Sequence, residues 1–156
     1  MSMKRRTFLK STLATSALGI AVSAGLLKPK EVLAAWPESA FASKSFDDAL
    51  AQLFDTSNVA DSGDIKIKAP DIAENGAVVS FKVKTTLPKV ESISVYVPVN
   101  AFPLSASYIL SNQMETSITG RIKMAKTADV VAVVKSNGKL YTAKKGVKVT
   151  LGGCGG

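Results

Sequence analysis

The chain has 156 residues, with 20 Lys and Arg against 12 Asp and Glu, a formal charge of +8, no histidine and one cysteine. That length holds one domain; the missing histidine removes the commonest general base and metal ligand, and a lone cysteine rules out a framework of internal disulfides. Six basic residues and one acidic residue before Ala35 supply +5 of the +8, which leaves +3, too little and too scattered for a nucleic-acid-binding surface.

The first stretch, "MSMKRRTFLKSTLATSALGIAVSAGLLKPKEVLAAWPES", has a basic start, a mild apolar run and small residues near a plausible cut. Arg5, Arg6, Phe8, Leu9 and Lys10 in "RRTFLK" resemble a twin-arginine export signal, with Lys4 where Ser or Thr is more usual. Leu13 to Leu27 is short and diluted by Ser, Thr and Gly, which argues against a retained membrane anchor. Residues 1–34 are therefore expected to be a cleaved leader, with the mature chain in the periplasm and not on a membrane. The remaining domain of about 120 residues is large enough to bury a modest core.

In "SFDDALAQLF", Phe46, Ala49, Leu50, Leu53 and Phe54 recur at helical period, Ser45 is a suitable N-cap, and Asp47 and Asp48 complement the helix dipole. A short amphipathic helix is expected within an N-terminal segment spanning 35–62.

From Ile65 the period becomes two. "IKIKA", "AVVSFKVKTT", "ESISVYV", "SASYILS", "SITGRIKM", "DVVAVVK" and "KLYTAKKGVKVTL" are β-rich runs, divided by Pro70-Asp71, Asn75-Gly76, Pro88, Asn100 with Pro103, Asn112, and Asn137-Gly138. The fold class expected is all-β, an antiparallel sandwich of about seven strands over residues 63–150. "VVKSNGKLY" reads as a hairpin, because Asn137 and Gly138 both accept the positive φ its turn needs. Val79, Phe81 and Val83 alternate with Ser80, Lys82 and Lys84, and Ile93, Val95 and Val97 alternate with Ser94 and Tyr96. "DVVAVV" does not alternate: Val131 and Val133 are as apolar as their neighbours, so something covers the second face. The candidates are the chain's own N-terminal helix and a partner subunit, and Val131 and Val133 are candidate partner-interface residues.

No cysteine pair, carboxylate cluster, phosphate-cradling glycine loop or serine nucleophile motif is present. The chemistry-bearing feature is the tail "LGGCGG", residues 151–156. Gly152, Gly153, Gly155 and Gly156 make a slender backbone that is costly to order, so a flexible arm is expected. Extended, Leu151 to Cys154 spans about 10 Å, enough to deliver a sulfur into another protein's pocket. The C-terminal carboxylate disfavours a thiolate, and a free thiol titrates near 8.5. Cys154 therefore reads as a covalent attachment point and not as a catalytic residue. Lys144, Lys145 and Lys148 stand just upstream, as a solvated strand face or as attraction for an anionic cargo or an acidic rim. A different reading makes the chain an exported binding or assembly protein whose thiol only forms an intermolecular disulfide.

The leader, the β-rich domain and terminal "GGCGG" together resemble the SoxY family of thiosulfate-oxidation sulfur carriers. The resemblance includes "PDIAENGAVVSFKV" at Pro70 to Val83 and "GRIKMAKTADVVAVVKSNGKLYTAKKGVKVTLGGCGG" at Gly120 to Gly156. One departure is "VNAFPLSASYIL" at Val99 to Leu110, where Ala101 stands in place of an expected proline. The resemblance implies an immunoglobulin-like sandwich, paired as a heterodimer with a second small β protein, SoxZ. It implies a non-catalytic carrier holding sulfur intermediates on Cys154, with no cofactor or metal in this chain. Thiosulfate would be joined to the thiol by a haem c cytochrome complex. Sulfate would be released by a dimanganese hydrolase, and in some organisms a molybdenum sulfane dehydrogenase would oxidise the remaining sulfur.

Overall fold

The structure, a computed structural model, describes residues 37–111 and 113–150. Among these described residues two helices precede nine strands: α1 (Glu38–Ala42), α2 (Phe46–Phe54), β1 (Ala60–Asp61), β2 (Ile65–Lys68), β3 (Ile72–Ala73), β4 (Val79–Thr85), β5 (Val90–Tyr96), β6 (Leu104–Ile109), β7 (Ser117–Ile122), β8 (Ala128–Ser136) and β9 (Lys139–Val149).

The larger sheet runs β1-β9-β8-β5-β6, with β3 also paired to β9, and the smaller runs β2-β4-β7. All seven expected strands are present and the fold is the all-β, two-sheet sandwich that the period of two requires. The two strands not expected, β1 and β3, have two residues each and pair in parallel with opposite ends of β9.

Between the sheets, Val79, Phe81 and Val83 of β4 meet Ile93 and Val95 of β5 and Val130, Ala132 and Val134 of β8. The alternate residues Ser80, Lys82 and Lys84 are exposed, so the smaller sheet has one dry and one wet face. The β8–β9 hairpin turns at Asn137 and Gly138, whose φ values of 49° and 71° are the two positive angles of a type I′ turn. Ser45 caps α2 as expected: its Oγ accepts the Asp48 backbone N–H at 3.1 Å.

The larger sheet has no wet face beneath the helices. Val131 and Val133 join Tyr96, Leu104 and Leu140 in a second apolar layer, closed by Ala40 of α1 and by Ala49 and Leu50 of α2. This corrects their assignment to a partner interface. Both are buried within the single chain, at 2% and 0% exposure, because the apolar stripe of α2 already covers them. Ser94 and Tyr96, which alternation places on a polar face, are buried under the same cover.

Candidate functional site

Gly152, Gly153, Cys154, Gly155 and Gly156 lie outside the described residues, as does the leader at 1–34. The structure does describe where the tail starts. The end of β9 is held from both sides: Thr150 N–H donates to Ala73 O at 3.0 Å and Lys148 N–H to Asp71 O at 2.9 Å. On the other flank Val149 N–H donates to Thr127 Oγ1 at 3.0 Å, and that hydroxyl donates to Val149 O at 3.3 Å. A local reason exists for each contact: β3 supplies backbone carbonyls in a parallel register, and Thr127 stands where β8 begins opposite Val147. Thr150 is thus a fixed point, and Cys154 stands four residues beyond it.

Three further segments gather at this pole of the sandwich. The 123–127 loop approaches the 97–103 loop through Asn100, whose Nδ2 donates to Lys123 O at 2.7 Å and whose Oδ1 accepts Ala125 N–H at 3.0 Å. Asn100 thereby fixes the loop that departs from the expected Pro pattern, with Val97 N–H donating to Pro103 O at 2.8 Å. The 71–78 segment closes the ring, since Met124 N–H donates to Gly76 O at 2.7 Å. Beside the root, Phe46, Pro98, Val99, Ala128, Asp129, Val131 and Lys144 line an open cleft of about 380 Å³. The structural roles of Thr127, Asn100 and Gly76 are not visible in sequence, because each acts through a contact with a segment more than twenty residues away.

The electrostatics near the root are simple. Lys145 pairs with Asp71, and its hydrogen bond, then its charge, holds the Asp71 carboxyl below the usual carboxylate value. Lys144 and Lys148 are exposed on β9. The other displaced groups lie elsewhere. Glu91 is lowered by the Gly138 N–H and by Lys135 at the hairpin pole, and burial raises the Tyr96 phenol under α2, Ser94 opposing the rise. No group of three or more His, Cys, Asp or Glu able to hold a metal ion occurs among the described residues. Among them, no helix is long and apolar enough to cross a membrane. The pole thus holds the end of β9 through backbone and side-chain hydrogen bonds, four residues ahead of the chain's single cysteine.

A two-sheet sandwich whose last strand is held at its end, four residues ahead of the chain's single cysteine, is an all-β class of protein. Comparison with known proteins gives that class its family. The model of the family described as sulfur oxidation protein SoxY matches residues 50–154. Among solved structures, the sulfur carrier protein SoxY from Chlorobium limicola f thiosulfatophilum is 43% identical, with a TM-score of 0.63, covering 73% of this chain and 99% of that one. A superoxide reductase (neelaredoxin) from Ignicoccus hospitalis matches at 21% identity and a TM-score of 0.49, covering 55% of this chain and 79% of that one. No curated protein matches the chain. The chain belongs to the SoxY family of sulfur carriers.

Proposed function

We propose that this chain is the periplasmic carrier subunit of a thiosulfate-oxidising system, with sulfur intermediates bound covalently to Cys154. The observation that carries the reading is the junction at Thr150: a strand end tied to Ala73 and Thr127, followed at four residues by the chain's single cysteine, set between glycine pairs. The family match reaches residue 154 and so includes that cysteine. A rigid base with a glycine tail suits a thiol that must visit several pockets, because glycine has no Cβ to block a narrow channel.

In this reading residues 1–34 direct export by the twin-arginine route, and the carrier works as a heterodimer with a SoxZ-like β protein. Thiosulfate joins Cys154 at a haem c cytochrome complex: an S–S bond forms, the thiol proton leaves, and two electrons pass to the haems. At a dimanganese hydrolase, water then releases sulfate and leaves a persulfide on the arm. A sulfane dehydrogenase takes the remaining sulfur where one is present. Every metal in this sequence belongs to a partner, so Cys154 needs no activating group of its own.

The test is Cys154→Ser in the full chain. Fold and heterodimer formation stay as in the parent, while thiosulfate consumption falls to background. Normal consumption by the variant overturns the proposal. Intact mass under non-reducing conditions separates carriage from simple crosslinking: sulfur-bearing adducts on the single chain support carriage, and doubled mass alone supports the crosslinking alternative.

A further inference from the structure

Seven large apolar side chains are well exposed among the described residues, and four of them, Ile72, Val78, Val99 and Phe102, sit in the segments that surround Thr150. Ile72 pairs beside Lys148. Val78 follows the turn at Gly76, against which Met124 and Val149 pack. Val99 lines the cleft with Asp129 and Lys144. Phe102, 53% exposed, lies in the loop that Asn100 ties to Lys123 and Ala125. Scattered exposed apolar residues need no explanation, but a cluster on one pole marks an interaction surface.

These segments also carry more exposed positive than negative charge. Lys123, Lys126, Lys144 and Lys148 are exposed in these segments, against exposed Glu74 and Asp129, while Asp71 is engaged by Lys145.

We infer that the pole around Thr150 is a docking collar, in which Val99 and Phe102 with their apolar neighbours, ringed by lysines, seat the apolar, acid-rimmed mouth of an enzyme that receives the tail. This rests on the carrier reading above and names the surface and the chemistry of its partners.

The length of the tail requires such a surface. Four residues from Thr150 to Cys154 extend about 14 Å at most, only somewhat more than the roughly 10 Å between two packed sheets. A pocket deep enough to keep water from the sulfur uses most of that reach. The rim of the pocket then comes within a residue or two of Thr150 and lies against the collar. The contact is preorganised, because the side chain of Asn100 and the Thr127 hydroxyl hold the loops before any partner arrives. A collar of this kind offsets the entropy lost when a glycine tail is threaded. One pole can serve several enzymes if each repeats the same mouth chemistry.

The experiment replaces the native gene in its host with Val99→Asp or Phe102→Glu, with Lys139→Glu at the opposite, hairpin pole as control and Cys154→Ser in parallel. Thiosulfate consumption by cells is expected to fall roughly tenfold or more for the two collar variants, the size of effect that losing an apolar anchor has at an interface. It stays at the parental rate for Lys139→Glu. In the purified variants, thermal unfolding and the rate of Cys154 alkylation by iodoacetamide stay as in the parent. Parental consumption by both collar variants, with Cys154→Ser inactive, overturns the collar and leaves the carrier reading standing. An active Cys154→Ser strain overturns the carrier reading itself, and the collar with it. A change in alkylation rate, or conversion of a dimer to a monomer with consumption unchanged, also overturns the proposal, since the pole would then act on the thiol or join two copies of this chain.

Discussion

The ring of Phe46, the first residue of α2, meets the ring of Tyr96, the last residue of β5, edge to face at 5.1 Å and 81°. That contact joins the helix to the outer face of the larger sheet and explains why the face is dry. Aromatic pairs of this geometry add about 0.5–1.5 kcal/mol beyond the area they bury. Among the described residues the buried Tyr96 hydroxyl has no partner of good hydrogen-bond geometry: the Ser94 hydroxyl that opposes its pKa rise is itself bonded to Ser107 at 2.9 Å, so the phenol oxygen is poorly satisfied.

Tyr96→Phe should therefore stabilise the domain, by up to about 1 kcal/mol, since an unsatisfied buried polar group costs roughly 1–3 kcal/mol. The sign with pH follows from burial, which raises the folded phenol above its ordinary value near 10. Below that value both states are neutral and stability is complete. Above it the unfolded chain loses the proton first, and stability falls as pH rises. Urea melts at pH 8 and pH 11 check both points: the parent loses stability between them, and Tyr96→Phe loses less.

Val133 tests the covered face. At 0% exposure beneath Leu50 and its neighbours it has no route to water, so Val133→Asp should cost about 4 kcal/mol or more and leave little folded chain. A charge placed on a partner-facing surface would spare the fold and dissociate the complex instead. Circular dichroism of the isolated chain distinguishes the two, and a folded Val133→Asp would mean that α1 and α2 do not seal this face.

The contrast between Val131 and Tyr96 shows where sequence reasoning reached and where it stopped. The seven longer strands are legible because runs rich in Val, Ile and Tyr, most of them alternating, stand between clear turn signals, and α2 because its stripe, cap and acidic first turn agree. "DVVAVV" announced a covered second face, but not the cover, because α2 lies some eighty residues upstream and an apolar stripe does not name its target. Ser94 and Tyr96 alternate as exposed residues do, and their burial depends on that same docking. β1 and β3 were illegible: two residues have no period, and what makes them strands is the edge of β9. The site divides in the same way. Cys154 and its glycines stand out by composition alone, whereas the clamp at Thr150 depends on Thr127, Ala73 and Asp71, which only the fold brings together.

Glu91 offers a modest acid-side test. Its Oε1 accepts the Gly138 N–H at 2.7 Å and its Oε2 lies 3.2 Å from Lys135 Nζ, so the carboxylate ties β5 to the hairpin turn. The Gly138 hydrogen bond, then Lys135, hold its pKa below the ordinary glutamate value. Its contribution is present above the unfolded value and disappears as pH falls through the lowered folded one. Glu91→Gln should lower neutral stability only slightly, because the group is solvent-screened, and should remove the equally small loss that the parent shows as pH falls below the ordinary glutamate value, read from thermal melts of both chains across the acid range.

Gly76 ties the fold to the proposed function. A Cβ built there would stand 2.4 Å from Met124 O and 2.8 Å from Val149 Cγ1, so Gly76→Ala forces the 71–78 segment away from the end of β9. A displacement at a packed backbone contact of this kind costs about 1–3 kcal/mol. Gly63→Ala is the control, since nothing lies within 4 Å of its added carbon. Two effects are expected of Gly76→Ala and neither of Gly63→Ala: a lower unfolding midpoint, and faster hydrogen exchange at the amides of Val149 and Thr150, whose acceptors Thr127 Oγ1 and Ala73 O flank the displaced contact. Because the domain remains folded at moderate temperature, thiosulfate consumption can be measured with the base of the tail loosened and Cys154 intact. If presentation of the sulfur depends on a fixed Thr150, consumption drops together with amide protection. If it does not, protection is lost while consumption persists, and the clamp at Thr150 serves stability alone.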